Sequence, residues 1–340
     1  MTYENPYINS SNWSELNILE TLRKRNPLII CITNDVVRTF TANGLLAIGA
    51  SPVMSECSED LKDLIAHASA LLINIGTLTP DKVSYYKDAI ALAKKHEVPI
   101  VLDPVGCHAG VYRLSVVLDL IKTDAISLLR GNQSEIKAIY DALNTNHKVN
   151  NSLSGKGVDG EQVEDSAIIT YRLARQINCP VVATGEEDYV SDGTRVFAVP
   201  HGHPIMTAVT GTGCLLGAVL AAFFSSYCPF MYNMSIGEFL AYALAYYGLA
   251  GESAVNVSGV KPGSFSMAFM DALYEFDDAM LLSKNRIRPV VVPDQLKVYF
   301  ISGTQDVGFN ERHLLETVEA ACRGLSLIHI SEPTRRSYIS

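Results

Sequence analysis

The sequence predicts an α/β fold in which helices cover a sheet of buried, parallel-type strands. Short apolar runs rich in β-branched residues recur along the chain, as is typical of strands that are buried on both faces. Helical patterns separate these runs, and alternating strands and helices favour one sheet with right-handed crossovers. The predicted strands are Leu28 to Ile32, Ala70 to Ile75, Pro99 to Leu102, Ala125 to Leu129 and Pro180 to Thr184.

The clearest predicted helix runs from Asp81 to His96. Apolar side chains recur in it every three or four positions, as expected for a helix with one buried face. Thr79 offers a hydroxyl that can cap the first turn, and Pro80 suits the first helical position. This segment therefore predicts a crossover helix between two strands.

The composition describes a globular chain with enough apolar material for one large core or two small ones: 340 residues, 48% of them hydrophobic, with a net charge of −9. The negative charge argues against nucleic acid or an anionic membrane as a partner. The longest apolar stretch, Leu215 to Phe224, is too short to span a bilayer, and the first residues lack the order of a signal peptide. Seven widely spaced cysteines indicate reduced thiols and a cytoplasmic location.

Polar segments that contain glycine follow four of the predicted strands. They are Asn74 to Thr77, Asp103 to Gly106, Arg130 to Asn132 and Thr184 to Glu186. In open α/β sheets, ligands bind at the carboxyl ends of the strands. Any one segment is equally well explained as an ordinary loop, but the four together predict a polar site.

A glycine-rich turn, Thr210 to Cys214, opens directly into the very apolar helix that starts near Leu215. Glycines let a ligand approach the backbone, and the free amides of a first helical turn attract anions. The simpler alternative is a helix start capped by threonine. The turn has neither a Walker lysine nor the three spaced glycines of a dinucleotide site, so its phosphate chemistry would differ from both.

Ordered motifs occur along most of the chain. They are Cys31 to Val37, Phe40 to Ala47, Gly49 to Met54, Asn74 to Leu78, Leu102 to Gly106, Arg130 to Glu135, Gly155 to Asp159, Thr184 to Val190, Gly202 to Pro204, Val209 to Cys214 and Lys261 to Phe265. Together, over roughly residues 12–278, they resemble the hydroxyethylthiazole kinase family. The resemblance implies a ribokinase-like, three-layer α/β/α fold with a central, mostly parallel sheet. It also implies a homotrimer with active sites at the subunit interfaces.

The activity implied by the resemblance is ATP- and Mg²⁺-dependent phosphorylation of the hydroxyl of 4-methyl-5-(2-hydroxyethyl)thiazole, in thiamine biosynthesis or salvage. In the family pattern, Gly211, Thr212 and Gly213 form an anion hole for the phosphoryl group. Cys214 stands where related kinases more often have an aspartate base. A thiol at a helix N-terminus is expected to have a lowered pKa, so Cys214 is either a weak base or a positioning group. A small buried residue without a role is the third alternative.

The remaining site residues are also implied by the resemblance. Asp103 and Glu135 are the Mg²⁺ candidates, Arg130, Thr184 and Asp159 match nucleotide-contacting positions, and Met54, Gly211 and Asn34 match thiazole-contacting positions. Five of these residues have a simpler alternative. It is a helix cap for Glu135, a surface ion pair for Arg130 and ordinary strand-end hydrogen bonding for Thr184, each less favoured than the site role, and core filling for Met54 and holding a turn for Asn34.

Two features do not fit a simple assignment. Arg38 and Thr39 precede Phe40 where the resemblance predicts an apolar residue and an asparagine, which leaves the subunit interface or the substrate wall open. His201 and His203 supply too few ligands for zinc, and a role in the loop is the better interpretation.

The predicted domain organisation has three parts. Residues 1–280 form the kinase-like domain, residues 281–324 a linker and a truncated βα fragment, and residues 325–340 a disordered or non-native tail. The fragment from Leu296 to Cys322 resembles the first strand and helix of thiamine-phosphate synthase. One βα unit cannot close a barrel, so that activity is expected to be absent.

Three other functions stay open from the sequence. A ribokinase-like kinase for hydroxymethylpyrimidine or a sugar would more often have aspartate at the position of Cys214. An ADP/ATP-dependent NAD(P)H-hydrate dehydratase shares the fold, but the motifs that end at Met54 argue against it. A non-catalytic nucleotide- or thiazole-binding protein would bind these ligands without turnover.

Overall fold

The computed structural model describes residues 17–144 and 165–295. The predicted nucleotide contact Asp159 and the segment from Leu296 onward lie outside the described residues. The chain divides into a first unit that ends at Val290 and a second unit that begins at Val291. The second unit is described only at its start, which includes a short 3-10 turn, Pro293–Gln295.

The strands of the first unit form one sheet. Their bounds are β1 Leu28–Ile32, β2 Ser51–Met54, β3 Ala70–Asn74, β4 Ile100–Asp103, β5 Leu128–Asn132, β6 Val181–Thr184, β7 Asp188–Ser191, β8 Val196–Val199 and β9 Arg288–Val290. Their order in the sheet is β2-β1-β3-β4-β5-β6-β7-β8-β9. The pairs from β2 to β6 are parallel, and β7, β8 and β9 extend the sheet antiparallel.

Helices lie in the connections between the strands other than β6–β7 and β7–β8. They are α1 Ile18–Arg25, α2 Arg38–Ile48, α3 Ser58–Leu64, α4 Pro80–Lys95, α5 Val111–Ile121, α6 Gln133–Asn144, α7 Ser166–Ile177, α8 Thr212–Ser226, α9 Pro229–Tyr232, α10 Ile236–Ser258, α11 Pro262–Glu275 and α12 Asp278–Lys284. Thr79 caps α4 as predicted, because its hydroxyl accepts a hydrogen bond from the amide of Lys82 at 3.2 Å. Among the described helices, none is long and apolar enough to span a membrane.

Successive strand residues point into two separate cores. In β3, Leu72 lies in the core formed with α1, α2 and α8 to α12, whereas Leu71 and Ile73 lie in the core formed with α3 to α7. A strand covered on both faces needs apolar residues at every position, which is why β3 is a continuous apolar run. The three layers and the mostly parallel sheet confirm the predicted fold.

One strand prediction was wrong in its bounds. The predicted strand Ala125 to Leu129 is displaced, since β5 spans Leu128–Asn132. The amide of Ser127 donates to the carbonyl of Ile100 at 2.8 Å and its hydroxyl accepts from the amide of Ile100, and the paired residues of β5 and β4 begin at Leu128 and Val101. The strand then continues through polar residues as far as Asn132, which pairs with Thr184 of β6. The polar segment after the predicted strand is therefore part of the strand itself.

The first unit extends past residue 280, where the sequence placed the end of the kinase-like domain. Residues 281–290, which the sequence assigned to a linker, belong to the first unit. Leu281 of α12 is buried in the core, and Val290 of β9 pairs with Val196 of β8. Apolar contacts and strand pairing therefore continue past the last motif. The barrel fragment and the tail stay predictions outside the described residues.

Candidate active site

A row of polar side chains crosses the carboxyl edge of the parallel strands. We call it the polar row, and it consists of Cys214, Asn34, Asn74, Asp103, Arg130 and Thr184. Neighbouring parallel strands end at the same edge of a sheet, so strand-end residues meet there even when they are far apart in sequence. The structure thus brings together residues from four strands, from the loop after β1 and from the start of α8.

The first half of the polar row connects α8 to the sheet. Nδ2 of Asn34 lies 3.2 Å from Sγ of Cys214 and 3.1 Å from Oδ1 of Asn74. The side-chain amide of Asn74 donates to Oδ2 of Asp103 over 2.8 Å. The side-chain amide of Asn34 therefore donates to protein atoms. This agrees with the alternative role considered for it, which is to hold a turn.

The second half of the polar row contains a buried ion pair. Nη1 of Arg130 lies 3.4 Å from each carboxylate oxygen of Asp103. Nη2 of Arg130 donates to the hydroxyl of Thr184 at 3.0 Å. Arg130 and Asp103 are both buried, so the surface ion pair considered for Arg130 is wrong. Nε of Arg130 has no hydrogen-bond partner among the described residues, which leaves one buried donor unused.

Three carboxyl groups around Arg130 have raised pKa values. Burial raises the pKa of Asp103 to about 6 despite the opposing charge of Arg130. Burial raises the pKa of Glu135 to about 7, with the negative charge of Asp103 as the second cause. Burial also raises the pKa of Asp188 to about 7. Arg130 lowers all three values but does not offset burial, so a further cation would favour the charged carboxylates.

Glu135 also forms a reciprocal helix cap. Its Oε2 accepts from the amide of Asn132 at 2.6 Å, and its own amide donates to Oδ1 of Asn132 at 2.8 Å. Its Oε1 accepts from the amide of Gly106 at 2.7 Å. This is the capping role that the sequence offered as the alternative. A carboxylate has about four acceptor positions, so the cap leaves capacity for a cation.

The donor set fits Mg²⁺ better than a softer metal. Within residues 17–144 and 165–295, no group of three or more His, Cys, Asp or Glu side chains is arranged to hold a metal ion. Mg²⁺ commonly uses one or two carboxylates and keeps water or phosphate oxygens at its other positions. Two buried carboxylates that raise each other's energy, Asp103 and Glu135, match this requirement.

The turn before α8 requires glycine at its first position. Gly211 has a φ of +100°, and a Cβ there would lie 3.0 Å from Cδ1 of Phe40. The hydroxyl of Thr212 donates to the carbonyl of Met206 at 2.7 Å, and its own carbonyl accepts from the hydroxyl of Tyr247 at 2.6 Å. The turn is therefore fixed on both sides before the helix begins.

The first two turns of α8 lie directly against the buried ion pair. A Cβ on Gly213 would lie 3.6 Å from Nη2 of Arg130, and a Cβ on Gly217 would lie 3.2 Å from Oδ2 of Asp103. The amides of a first helical turn have no acceptor within their own helix. Free amides and a guanidinium thus lie close together, an arrangement that is suited to a multiply charged anion.

The structure corrects the expected acidity of Cys214. The pKa of this thiol is raised to about 11, mainly because it is buried and secondly because Asp103 is nearby. These two effects exceed those of Arg130 and of the hydrogen bonds from Asn74 and Asn34, all of which lower the value. The helix N-terminus therefore does not produce a thiolate near neutral pH. Among its predicted roles, a neutral positioning group fits this environment.

We expect Cys214 to react slowly with iodoacetamide at pH 7 and faster as the pH rises towards its pKa of about 11. Alkylation of this residue is measured by peptide mass spectrometry across the pH range. The exposed Cys57 in the same chain is the internal control for reagent access. A Cys214 that reacts at its full rate near pH 7 would contradict the raised pKa.

The predicted thiazole contact Met54 lies at the end of β2. It is half-buried and packs against the core formed with α1, α2 and α8 to α12, so part of its side chain fills that core and part is exposed. Arg38, the departure within the second motif, pairs with Glu56 two residues beyond Met54. Arg38 therefore has an ion-pair partner that is close to Met54 in sequence.

Sequence reasoning gave no individual role to three residues that shape this edge. Asn74 belongs to the predicted polar segment Asn74 to Thr77, and its side chain joins the two halves of the polar row. Asp188 accepts a hydrogen bond from the amide of Gly185 at 3.0 Å. Arg113 donates to the carbonyls of Ile75, Val105 and Gly76 at 2.9 to 3.0 Å and so fixes two strand-end loops. Nothing in the local sequence around Arg113 indicates this role.

Comparison with known proteins gives consistent relatives along most of the chain. The sequence is 48% identical to a hydroxyethylthiazole kinase from Streptococcus agalactiae over 267 residues, which covers 78% of this chain and 99% of the relative. It is 46% identical over 256 residues to the enzyme of that name from Streptococcus suis, covering 75% of this chain and 93% of the relative.

Solved structures agree with the sequence relatives. A hydroxyethylthiazole kinase from Pyrococcus horikoshii superposes with a TM-score of 0.70 at 36% identity, covering 81% of this chain and 98% of that one. A ribokinase-like superfamily protein from Enterococcus faecalis, 16% identical with a TM-score of 0.53 over 81% of this chain and all of that one, shares the fold. The sequence model of the hydroxyethylthiazole kinase family matches residues 19–279. From this match and these relatives, the chain belongs to the hydroxyethylthiazole kinase family.

Proposed function

We propose that this protein transfers the γ-phosphoryl group of ATP to the hydroxyl of 4-methyl-5-(2-hydroxyethyl)thiazole, in thiamine biosynthesis or salvage. Family membership and the names of the relatives supply the thiazole substrate and ATP as the phosphoryl donor. The observation that carries the proposal is the contact between the first turn of α8 and the buried pair of Asp103 and Arg130. This contact places anion-binding groups beside carboxylates at the ligand-binding edge of the sheet.

The anion hole is the chain's main contribution to transfer. In phosphoryl transfer, charge spreads over the equatorial oxygens of the moving group, and fixed donors aimed at those oxygens lower the barrier. The amides of Gly213 and Cys214 are such donors, because Gly211 and the hydroxyl of Thr212 fix the preceding turn, whereas the amide of Thr212 donates to the carbonyl of Val209 at 3.4 Å. Arg130 adds a charged donor from the opposite side, and its unused Nε–H adds a further one.

The acceptor alcohol is held near Cys214 in this proposal. Met54 and Gly211 would border the thiazole ring, and a polarisable thioether suits a flat sulfur heterocycle. Asn34 donates to Sγ of Cys214, which fixes the thiol next to the start of α8. A loose transition state needs little help from a base, so a neutral thiol that orients the alcohol is sufficient.

Asp103 and Glu135 would hold Mg²⁺, in agreement with their burial and mutual repulsion. When bound, the ion neutralises charge on the phosphates of ATP. Asp103 also keeps Arg130 in place through their ion pair. The two carboxylates thus organise both the positive side chain and the cation position.

The other parts of the proposal rest on the family resemblance. Thr184 would contact phosphate oxygens through a hydroxyl that is already aligned by Arg130. Asp159, outside the described residues, would contact the nucleotide from its glycine-containing segment. We further propose a homotrimer with sites at the subunit interfaces. The cytoplasmic location expected from the cysteine pattern stays a prediction.

A substrate panel tests the proposed reaction. Purified protein with Mg·ATP is offered the thiazole alcohol, hydroxymethylpyrimidine, a sugar and an NAD(P)H hydrate in separate assays, and ADP and phosphorylated product are both measured. We expect a phosphomonoester of the thiazole alcohol only. Turnover restricted to the pyrimidine or the sugar would indicate another ribokinase-like kinase, and dehydration of the hydrate would indicate the hydro-lyase. Binding without turnover of any compound would indicate a non-catalytic protein.

Binding of the metal–nucleotide complex is expected to release protons. Asp103 and Glu135 have raised pKa values of about 6 and about 7, so part of each population is protonated at pH 6.5 in the free protein. A bound cation favours the charged forms. We expect release of about one proton per Mg·ADP bound at this pH, measured by titration calorimetry in two buffers with different ionisation enthalpies. Equal heats in the two buffers would contradict the assignment.

The same carboxyl groups determine how stability depends on pH. Their pKa values in the folded protein are raised above the unfolded values of about 4. Their contribution to stability is therefore fully present below about pH 4 and is lost as the pH rises through 6 to 7. The increase in Tm caused by Mg·ADP should consequently be larger at pH 8 than at pH 5.5.

A further inference from the structure

The last strand lies outside the part of the chain that matches the kinase family. The family match ends at residue 279, whereas β9 spans Arg288–Val290. This strand nevertheless extends the sheet, because Ala198 of β8 pairs with Arg288 and Val196 with Val290. The matched domain is thus continued by a short segment whose role the match does not define.

Arg288 reaches from this strand to the turn between β6 and β7. Its Nη2 lies 2.7 Å from Oε1 and 2.6 Å from Oε2 of Glu187. Oε2 of Glu187 also accepts from the hydroxyl of Tyr189 at 2.7 Å, and its backbone carbonyl accepts from Nε2 of Gln133 at 3.0 Å. The pair is partly shielded, with 41% of the Arg288 side chain and 22% of the Glu187 side chain exposed.

The turn that Arg288 holds carries residues of the candidate site. Thr184 at its start is bonded to Arg130 in the polar row. Asp188 at its end accepts from the amide of Gly185; burial raises the pKa of Asp188 to about 7, and this hydrogen bond and the charge of Arg130 oppose that rise. Any shift of Glu187 would therefore move the strand end that we assign to the nucleotide.

The backbone that presents Arg288 is itself fixed by a second network. The buried ring of His201 accepts from the amide of Arg286 through Nε2 at 3.1 Å. Nη2 of Arg286 donates to Oε1 of Glu252 at 2.7 Å, and the amide of Gly202 donates to the same oxygen at 3.2 Å. Residues before β9 are thus tied to α10 and to the loop after β8.

We propose that Arg288 is a positioning residue for nucleotide binding. It acts through Glu187 and keeps the β6–β7 turn in the shape in which the hydroxyl of Thr184 meets the phosphates of ATP. Arg288 acts on the β6–β7 turn and not on the first turn of α8, so its loss should change KM for ATP more than KM for the alcohol. This inference rests on the proposed function, since it assumes that ATP occupies the edge of the sheet.

The test compares Arg288→Ala, Arg288→Lys and a matched control, Arg195→Ala, in the full chain. Arg195 is an exposed arginine in the turn at the other end of β7, so its loss removes the same side chain from the same hairpin. For Arg288→Ala we expect KM for ATP to rise about three- to tenfold, with kcat and KM for the thiazole alcohol within about twofold of the wild type. Arg288→Lys should recover part of the loss, and Arg195→Ala should match the wild type.

Two outcomes would overturn the inference. One is an unchanged KM for ATP in Arg288→Ala, even with a lower Tm, because Arg288 would then only stabilise the strand. The other is an equal rise of KM for ATP in Arg195→Ala, which would indicate a general effect of the hairpin.

A second measurement separates this inference from the proposed reaction. Affinity for ADP is measured by calorimetry without any alcohol present. If the wild type does not phosphorylate the thiazole alcohol but Arg288→Ala still binds ADP about three- to tenfold more weakly, the positioning role holds and the proposed substrate fails. If the wild type phosphorylates the alcohol and Arg288→Ala binds ADP as tightly as the wild type, only the positioning role fails. A wild type that binds no ADP overturns both.

Discussion

An Asp103→Asn variant is expected to lose about 10²- to 10³-fold in kcat. The substitution removes the negative charge that pairs with Arg130 and that would hold Mg²⁺, while it keeps the size of the side chain. It also leaves Arg130 buried without its partner, and breaking such a pair costs about 3 to 5 kcal/mol of stability. The variant is measured by steady-state kinetics at saturating Mg·ATP and by thermal unfolding under the same conditions.

Stability and catalysis are separated by a compensated variant. Asp103→Leu combined with Arg130→Met removes both charges from the buried pair, so much of the lost stability should return while activity does not. Asp119→Asn, an exposed carboxylate that pairs with Lys122, is the control and should behave like the wild type. A kcat of Asp103→Asn within about tenfold of the wild type would contradict the proposed role of this carboxylate.

A Gly213→Ala variant is expected to fold normally and to lose about 10²- to 10³-fold in kcat/KM. The added methyl group would lie 3.6 Å from Nη2 of Arg130, an ordinary contact distance, so the free protein has room for it. Alanine is favoured over glycine within a helix by up to about 1 kcal/mol, so Tm should stay the same or rise. The methyl group would occupy the space assigned to the transferred phosphoryl group.

The matched control is Gly263→Ala. Gly263 is the second residue of α11, as Gly213 is the second residue of α8, and a Cβ there meets no atom within 4 Å. Both variants should gain helix stability, but only Gly213→Ala should lose activity. Activity is measured as phosphorylation of the thiazole alcohol, and Tm by circular dichroism. An active Gly213→Ala would show that the phosphoryl group passes elsewhere.

The layers of the fold and most of the parallel strands could be predicted from sequence. The strands near the centre of the sheet are covered on both faces, so their apolar runs are unbroken and easy to recognise. The antiparallel strands were not predicted, because β7 and β9 are short and contain polar or charged residues such as Asp188 and Arg288. Their pairing partners are set by tertiary contacts that local patterns do not contain.

The candidate site was predictable in its residue types but not in its electrostatics. Strand-end position and the family motifs pointed to Asp103, Arg130 and Thr184, and the structure brings all three together. The pKa of Cys214 was predicted in the wrong direction, because the position at a helix start is visible in sequence whereas burial beside Asp103 is not. Asn74 was placed in the predicted polar site without an individual role, since its two partners come from distant segments.

The central claim is that the turn before α8 binds the transferred phosphoryl group opposite Asp103 and Glu135. The most direct measurement is a crystal structure with Mg²⁺, a non-hydrolysable ATP analogue and the thiazole alcohol. We expect γ-phosphoryl oxygens about 3 Å from the amides of Gly213 and Cys214, with the alcohol in line beside the Cys214 thiol. A γ-phosphoryl group bound away from this turn, with the metal held by other residues, would contradict it.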